Sequence, residues 1–264
     1  MHSTISFYGD LVELLSPAYR ERPRITYDSQ RHASIKDVIE SLGVPHTEVG
    51  LIMANGEEVA FSYLLEEGDH VQVHPLVPPV DPTTPTLLRP FPVSGYRFVA
   101  DVNVGRLARL LRMAGFDTLF ENCLQDEELA RISAEEGRIL LSKDRRLLKR
   151  KIVTFGHLVR AEDPRIQLAE VIRFYGLERR SAPFTRCMVC NGVLVPVPKS
   201  EVMDRLEPLT KRYYEDFYLC PDCGKVYWPG SHKEAMLRIL QNCSIENRVV
   251  RKRTRTIIAT GEDK

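Results

Sequence analysis

Between Ser3 and His74 the apolar positions come in short runs divided by polar turns, which predicts strands at Ser3–Tyr8, Arg24–Tyr27, Gly50–Ala54 and Val71–His74. One stretch repeats with helical spacing instead. Val38, Ile39 and Leu42 share a stripe, Ser34 stands where an N-cap belongs and Gly43 where a helix stops, so a helix is predicted over Ser34–Leu42. Ala54-Asn55-Gly56-Glu57 reads as an Asn-Gly hairpin turn. The expectation for residues 1–78 is a small mixed sheet crossed by one helix.

From Tyr96 onward the pattern changes. Apolar runs at Tyr96–Ala100, Phe116–Phe120 and Arg138–Ser142 alternate with helical spacing over Asn103–Ala114 and from Asp126 to Glu136. Gly115 and Gly137 stand at the helix ends, and Asp126, followed by two glutamates, suits an N-cap. A short strand near Leu158–Arg160 precedes a helix opening at Asp163-Pro164. Strand and helix in alternation predict an α/β domain over residues 93–182, its parallel sheet covered on both faces. Between the two patterns, V-P-P-V-D-P-T-T-P-T packs prolines too densely for a helix or a central strand, so residues 79–92 read as a linker. A cysteine-bearing segment, 183–246, and a basic tail, 247–264, follow.

Composition adds exclusions. Of 264 residues, 43% are hydrophobic and 28% charged, a globular balance that rules out disorder throughout and collagen-like structure. No apolar run approaches the ~18 residues needed to cross a bilayer. Met1–Leu15 carries Asp10 and Glu13 and lacks a basic stretch followed by an apolar core, so the expectation is a soluble, cytoplasmic protein without a membrane partner. The net charge of +1 hides an asymmetry: residues 1–90 hold 6 Lys/Arg against 13 Asp/Glu, and the remainder holds 31 against 23. An acidic module precedes a basic one, and it could meet a protein partner or cover the basic surface in cis.

Four of the six cysteines form C-x-x-C pairs, Cys187/Cys190 and Cys220/Cys223, with 29 residues between the pairs. Two such knuckles predict a closed four-thiolate site for structural zinc, with Gly192 and Gly224 supplying permissive backbone. The spacer should hold a helix at Ser200–Leu206 and a strand at Asp216–Leu219. Next comes K-V-Y-W-P-G-S-H, in which Trp228 reads as a core residue of this segment; alternatively Tyr227 and Trp228 stack on an unpaired base while Lys225 or His232 meets phosphate. Cys123 and Cys243 read as idle thiols. Arg248, Arg251, Lys252, Arg253 and Arg255 make the tail either a polyanion-binding arm or a frayed end.

Three aspartates share one topological property. Asp101 ends the first strand of the α/β domain, Asp126 follows the second and Asp144 lies just past the third, so strand direction brings them to the edge where sites form in open α/β sheets. Gathered acids need a cation, and magnesium or manganese suits oxygen ligands there. Two such ions would activate water against a phosphodiester. Asp163 is a possible fourth acid, although an N-cap role explains it as well. Basic residues surround these positions: Arg106, Arg109 and Arg112 recur every third residue, and Lys143, Arg145 and Arg146 flank Asp144. From Arg138 to Arg160 there are eight basic residues and one acid, a track suited to a phosphate backbone.

S-I-K-D-V-I-E-S-L-G-V-P-H-T-E-V, the N-G turn and E-G-D-H-V-Q-V-H-P resemble ubiquitin-like β-grasp modules related to sulfur carriers. Those carriers need a terminal Gly-Gly. Here the strand ends H-P-L-V-P-P-V-D-P with 190 residues after His74, so a docking or regulatory surface is expected in place of sulfur carriage. F-V-A-D-V-N-V-G-R-L-A-R-L-L-R-M-A-G-F-D-T, D-E-E-L-A and G-R-I-L-L-S-K-D-R-R-L-L resemble the PIN-like ribonuclease fold, and more narrowly the Mut-seven C-terminal RNase domain, often preceded by a β-grasp module and ending in a zinc ribbon. The resemblance implies metal-binding acids at Asp101, Asp126 and Asp144, with Ser142 as their polar neighbour, and endonucleolytic cleavage of RNA with no DNA specificity. The alternative is a non-catalytic RNA- or ribosome-binding adaptor whose acids are structural.

Overall fold

The computed structural model describes residues 2–28 and 33–230. In chain order the elements are β1 (His2–Phe7), α1 (Leu11–Leu14), β2 (Arg24–Asp28), α2 (Ile35–Ser41), β3 (Val49–Ala54), β4 (Glu57–Glu58), β5 (His70–Pro75) and β6 (Phe98–Ala100). Then come α3 (Gly105–Met113), β7 (Thr118–Leu119), α4 (Asp126–Glu136), β8 (Ile139–Ser142), α5 (Arg145–Leu148), β9 (Gly156–Leu158) and α6 (Pro164–Tyr175). The last described elements are β10 (Val195–Val197), α7 (Lys199–Val202), α8 (Pro208–Tyr213), β11 (Phe217–Leu219) and β12 (Val226–Tyr227). Contacts divide the chain into two compact units, residues 1–103 with 121–159, and residues 104–120 with the chain from 160 onward.

The first unit opens with a five-stranded sheet in the order β2-β1-β5-β3-β4. β1 pairs parallel with β5 and antiparallel with β2, which is β-grasp topology. Ile5, Phe7, Ile52, Val71 and Val73 are buried on the sheet, with Ile35, Val38 and Ile39 of α2 buried as well. α2 starts as its sequence dictates: the Ser34 hydroxyl accepts from the Asp37 N–H and donates to the Asp37 carboxylate. Asn55 and Gly56 both have positive φ, 53° and 91°, as a primed two-residue hairpin turn requires.

The same unit holds β6, β8 and β9, paired in parallel in that order. Every residue of β8 is buried, the mark of a strand covered on both faces. α4 packs on β6 and β8, and α5 on β8 and β9. The N-cap of α4 is Gln125, so Asp126 takes the first helical position; its acidic group still favours the positive end of the helix. The proline-rich segment forms neither helix nor strand, yet it does not run free. Arg89 within it is buried, and its guanidinium donates to the carbonyls of Val49 (2.9 Å), Thr47 (3.0 Å), His46 (3.2 Å) and Thr154 (3.3 Å).

The β-grasp module is thereby fastened to the parallel strands. His46 Nε2 donates to the Val153 carbonyl (2.6 Å), and the Leu158 N–H donates to buried Glu48 (2.9 Å). Arg145 and Lys149, around α5, donate to the carbonyls of Leu14 and Glu40. The acidic module therefore meets part of the basic run, through backbone oxygens in these two bonds. Burial holds the Lys149 ammonium below its ordinary range, and the nearby Glu40 carboxylate opposes that shift.

In the second unit α3 packs against α6, with Leu107, Leu111, Leu168, Val171 and Ile172 buried. β10, β11 and β12 form an antiparallel sheet whose small core is Val202, Leu206 and Phe217. The helix expected at Ser200–Leu206 is shorter: α7 passes into a 3-10 turn over Met203–Arg205. α8 was not expected; Pro208 presets its first turn. His232, Cys243 and the basic tail lie outside the described residues.

Candidate active site and metal centre

Asp101 follows β6 directly, and its own N–H pairs with the Leu141 carbonyl, so the strand pairing fixes its position. The residue is 5% exposed. Its carboxylate accepts from the Val102 N–H (2.6 Å), from Asn103 Nδ2 (2.6 Å) and from the Ser142 hydroxyl (2.6 Å). Ser142, fully buried at the end of β8, also accepts from the Asp144 N–H (2.8 Å). One hydroxyl thus ties the Asp101 carboxylate to the backbone that carries Asp144. Asn103 closes the loop by accepting from the Lys143 N–H (3.1 Å).

The other acids differ in their surroundings. Asp144 caps α5, accepting from the Arg146 N–H (2.7 Å). Asp126 is half-exposed and faces Arg150 at 3.9 Å, with Glu127 3.8 Å from the same guanidinium. Asp163 caps α6 by accepting from the N–H groups of Arg165 and Ile166. Asp101, Ser142 and the Asp144 N–H form one hydrogen-bonded set, while the described contacts of Asp126 are to Arg150; the three expected acids do not make a group of metal-binding size among the described residues. Among the described residues, no basic side chain pairs with Asp101 or Asp144.

Among the basic candidates, Arg106, Arg109 and Arg146 are exposed, and Lys143 and Arg145 are partly exposed. Arg112 must be removed from the surface set. It is 3% exposed and donates to the carbonyls of Thr118 (2.8 Å), Val189 (2.7 Å), Phe120 (3.3 Å) and Met188 (3.4 Å). The cause is geometric: a step of three residues falls about 60° short of a full helical turn, so the third arginine of the series has rotated into the packed face.

The four cysteine sulfurs lie within 4.8 Å of one another, the one such group of three or more His, Cys, Asp or Glu side chains among the described residues. Cys187 and Cys220 are buried, whereas Cys190 and Cys223 are exposed. Both knuckles share one backbone pattern. The Cys187 and Cys220 N–H groups donate to the carbonyls of Gly192 and Lys225, and Asn191 and Gly224 N–H groups return to the carbonyls of Cys187 and Cys220. The left-handed residue is Gly224 in one knuckle (φ 73°) and Asn191 in the other (φ 74°). Gly192 is needed for a different reason than expected: a Cβ there would lie 2.1 Å from the Asp222 carboxylate and 2.9 Å from the Cys220 sulfur.

Burial opposes ionisation of Cys187, but the Tyr227 hydroxyl and the N–H groups of Cys190 and Val189 outweigh it and bring the thiol down to about 6. Burial and the neighbouring thiols push Cys190 upward instead. Four sulfurs this close together suit a thiophilic cation, and four cysteines in this arrangement indicate a structural zinc. Arg112 lies beside this centre: burial lowers its guanidinium and the Cys190 and Cys187 sulfurs push it back up. Trp228 is not the core residue of this sheet; it is 39% exposed, and Phe217 fills the core.

No described helix is long and apolar enough to cross a membrane. Comparison with curated proteins and with solved structures gives no match. Residues 1–81 match the Mut7-C ubiquitin domain, in agreement with the β-grasp sheet. Residues 96–240 match the Mut7-C RNAse domain, a span that takes in both the parallel strands ending at Asp101 and Ser142 and the four-cysteine centre, and the chain therefore belongs to the Mut7-C RNAse domain family.

Proposed function

We propose that this protein is a metal-dependent ribonuclease that hydrolyses phosphodiester bonds within RNA. The observation that carries the reading is Asp101, a buried carboxylate with no basic side chain paired to it among the described residues, set at the carboxyl end of a parallel strand. A buried acid in that state suits a bound cation. Asp101 and Asp144, tied together through Ser142, would hold magnesium or manganese, hard ions matched to oxygen donors, with Asp126, set against Arg150, an outer acid of the same edge. Such ions, when bound, supply an activated water and neutralise charge on the phosphate.

The remaining chemistry belongs to the chain. Ser142 and Asn103 orient the Asp101 carboxylate and hold the Asp144 backbone against it. Arg106, Arg109, Lys143 and Arg146 would contact the RNA backbone, with Arg145 partly engaged on Leu14. Asp163 serves the first turn of α6. The test compares wild type with Asp101→Asn and Asp144→Asn on single-stranded RNA, with manganese or with a chelator. Both variants should lose cleavage while RNA binding persists. Ser142→Ala should cost about 10–100-fold in rate, as for a residue that orients a ligand.

The adaptor reading has one observation in its favour, the pairing of Asp126 with Arg150. Cleavage equal in wild type and the aspartate variants, or absent from all with binding intact, would favour it.

A further inference from the structure

The second unit contains a cavity of about 530 Å³ beside the four-cysteine centre, within the range of sites that take small organic ligands. Phe184, Tyr218, Tyr227 and Trp228 contribute aromatic rings to its walls, Met188 an apolar surface and Lys225 a cation. Tyr218 and Trp228 are 40% and 39% exposed, so both rings of this one hollow are open to a ligand from solvent. Phe184 has a positive φ of 63° and is held there by its N–H bond to the Met113 carbonyl (3.0 Å). A bulky aromatic rarely keeps that conformation, and such strain collects at ligand sites.

We propose that this cavity receives an unpaired nucleobase of a single-stranded RNA. The inference rests on the reading of RNA as the substrate, and it adds a base-contacting site outside the carboxylate set. Flat rings offer stacking surfaces to any base, and Lys225, exposed at the same cavity, suits the adjoining phosphate. Charge alone would grip the backbone without needing an apolar hollow. The cavity would therefore recognise unpaired strands and discriminate against duplex, whose bases are stacked away.

Trp228 is the chain's single tryptophan, so its emission reports on this cavity without a label. The experiment uses the full zinc-loaded chain carrying Asp144→Asn, a short mixed-sequence oligoribonucleotide, and an abasic ribose-phosphate oligomer of equal length. The base-bearing oligomer should quench Trp228 saturably and the abasic one should not. Tyr218→Ala should weaken oligomer binding about tenfold and Tyr218→Phe should restore it, with zinc content unchanged. Equal affinity and equal quenching by the abasic oligomer would overturn the proposal, as would unaltered affinity in Tyr218→Ala. A Trp228 already blue-shifted and shielded from acrylamide in the free chain would overturn it too, since the chain beyond Gly230 would then be the occupant. Wild-type cleavage is assayed alongside. Cleavage with a silent Trp228 sinks this inference alone, whereas quenching without cleavage sinks only the ribonuclease reading.

Discussion

Arg89 and Arg112 are alike in chemistry and different in what surrounds them. Each is a buried guanidinium donating to four backbone carbonyls, and each pins a flanking module: Arg89 the β-grasp sheet, Arg112 the four-cysteine segment. The planar fork of arginine suits such a joint, since it reaches several acceptors without being deprotonated. The partners of Arg89 lie at His46, Thr47, Val49 and Thr154, none within a cysteine knuckle. Two partners of Arg112, Met188 and Val189, lie between Cys187 and Cys190, so they are presented only when that knuckle is formed. One joint stands apart from the four-cysteine centre, and the other is built into it.

The largest effect expected to break this comparison is zinc removal. Zinc binding in small domains is worth about 10–16 kcal/mol. Chelation or Cys220→Ser should abolish hydrogen-exchange protection in β10 and β11 and at the Thr118 N–H, which donates to Asn191. Protection in β1 and β5 should persist; its loss would show that the joints are not independent. Next, Arg112→Met should destabilise the protein by about 3–5 kcal/mol through carbonyls left without donors, and should weaken zinc binding. Arg112→Lys should not restore either, because one ammonium cannot serve four acceptors. Arg89→Met should cost about 2–4 kcal/mol in chemical denaturation with zinc affinity unchanged. The smallest effect is that of Asn191→Ala, about 1–2 kcal/mol. It removes the bonds to the Thr118 N–H and the Asp117 carboxylate and a residue tolerant of positive φ.

Features governed by neighbours in sequence were legible before the fold was known. The Ser34 cap, the Asn55-Gly56 turn, the limits of α4 and the pairing of C-x-x-C knuckles depend on a few consecutive residues and their backbone preferences. Asp101 and Asp144 were legible because strand direction places strand ends together, whereas Ser142 entered only through the family resemblance. Destinations set by distant partners were not. Arg89 reads as a linker residue and Arg112 as one of three evenly spaced basic residues around the acids, since nothing local announces that carbonyls from remote segments will meet them. Trp228 reads as core because size suggests burial, whereas the hollow beside it leaves the indole partly in water. A helix pattern gives the face of a residue only approximately, and the drift of about 120° from Arg106 to Arg112 exceeded that tolerance.

One structural arrangement changes how this surface should behave as a polyelectrolyte. In the run from Arg138 to Arg160, Arg138 contacts Glu136, Arg145 holds Leu14, Lys149 holds Glu40 and Arg150 faces Asp126. Cations already engaged inside the protein displace fewer condensed counterions from a nucleic acid. A double-logarithmic plot of association constant against salt should therefore fall less steeply than eight independent charges would make it, and shape and stacking would carry a correspondingly greater share of the attraction.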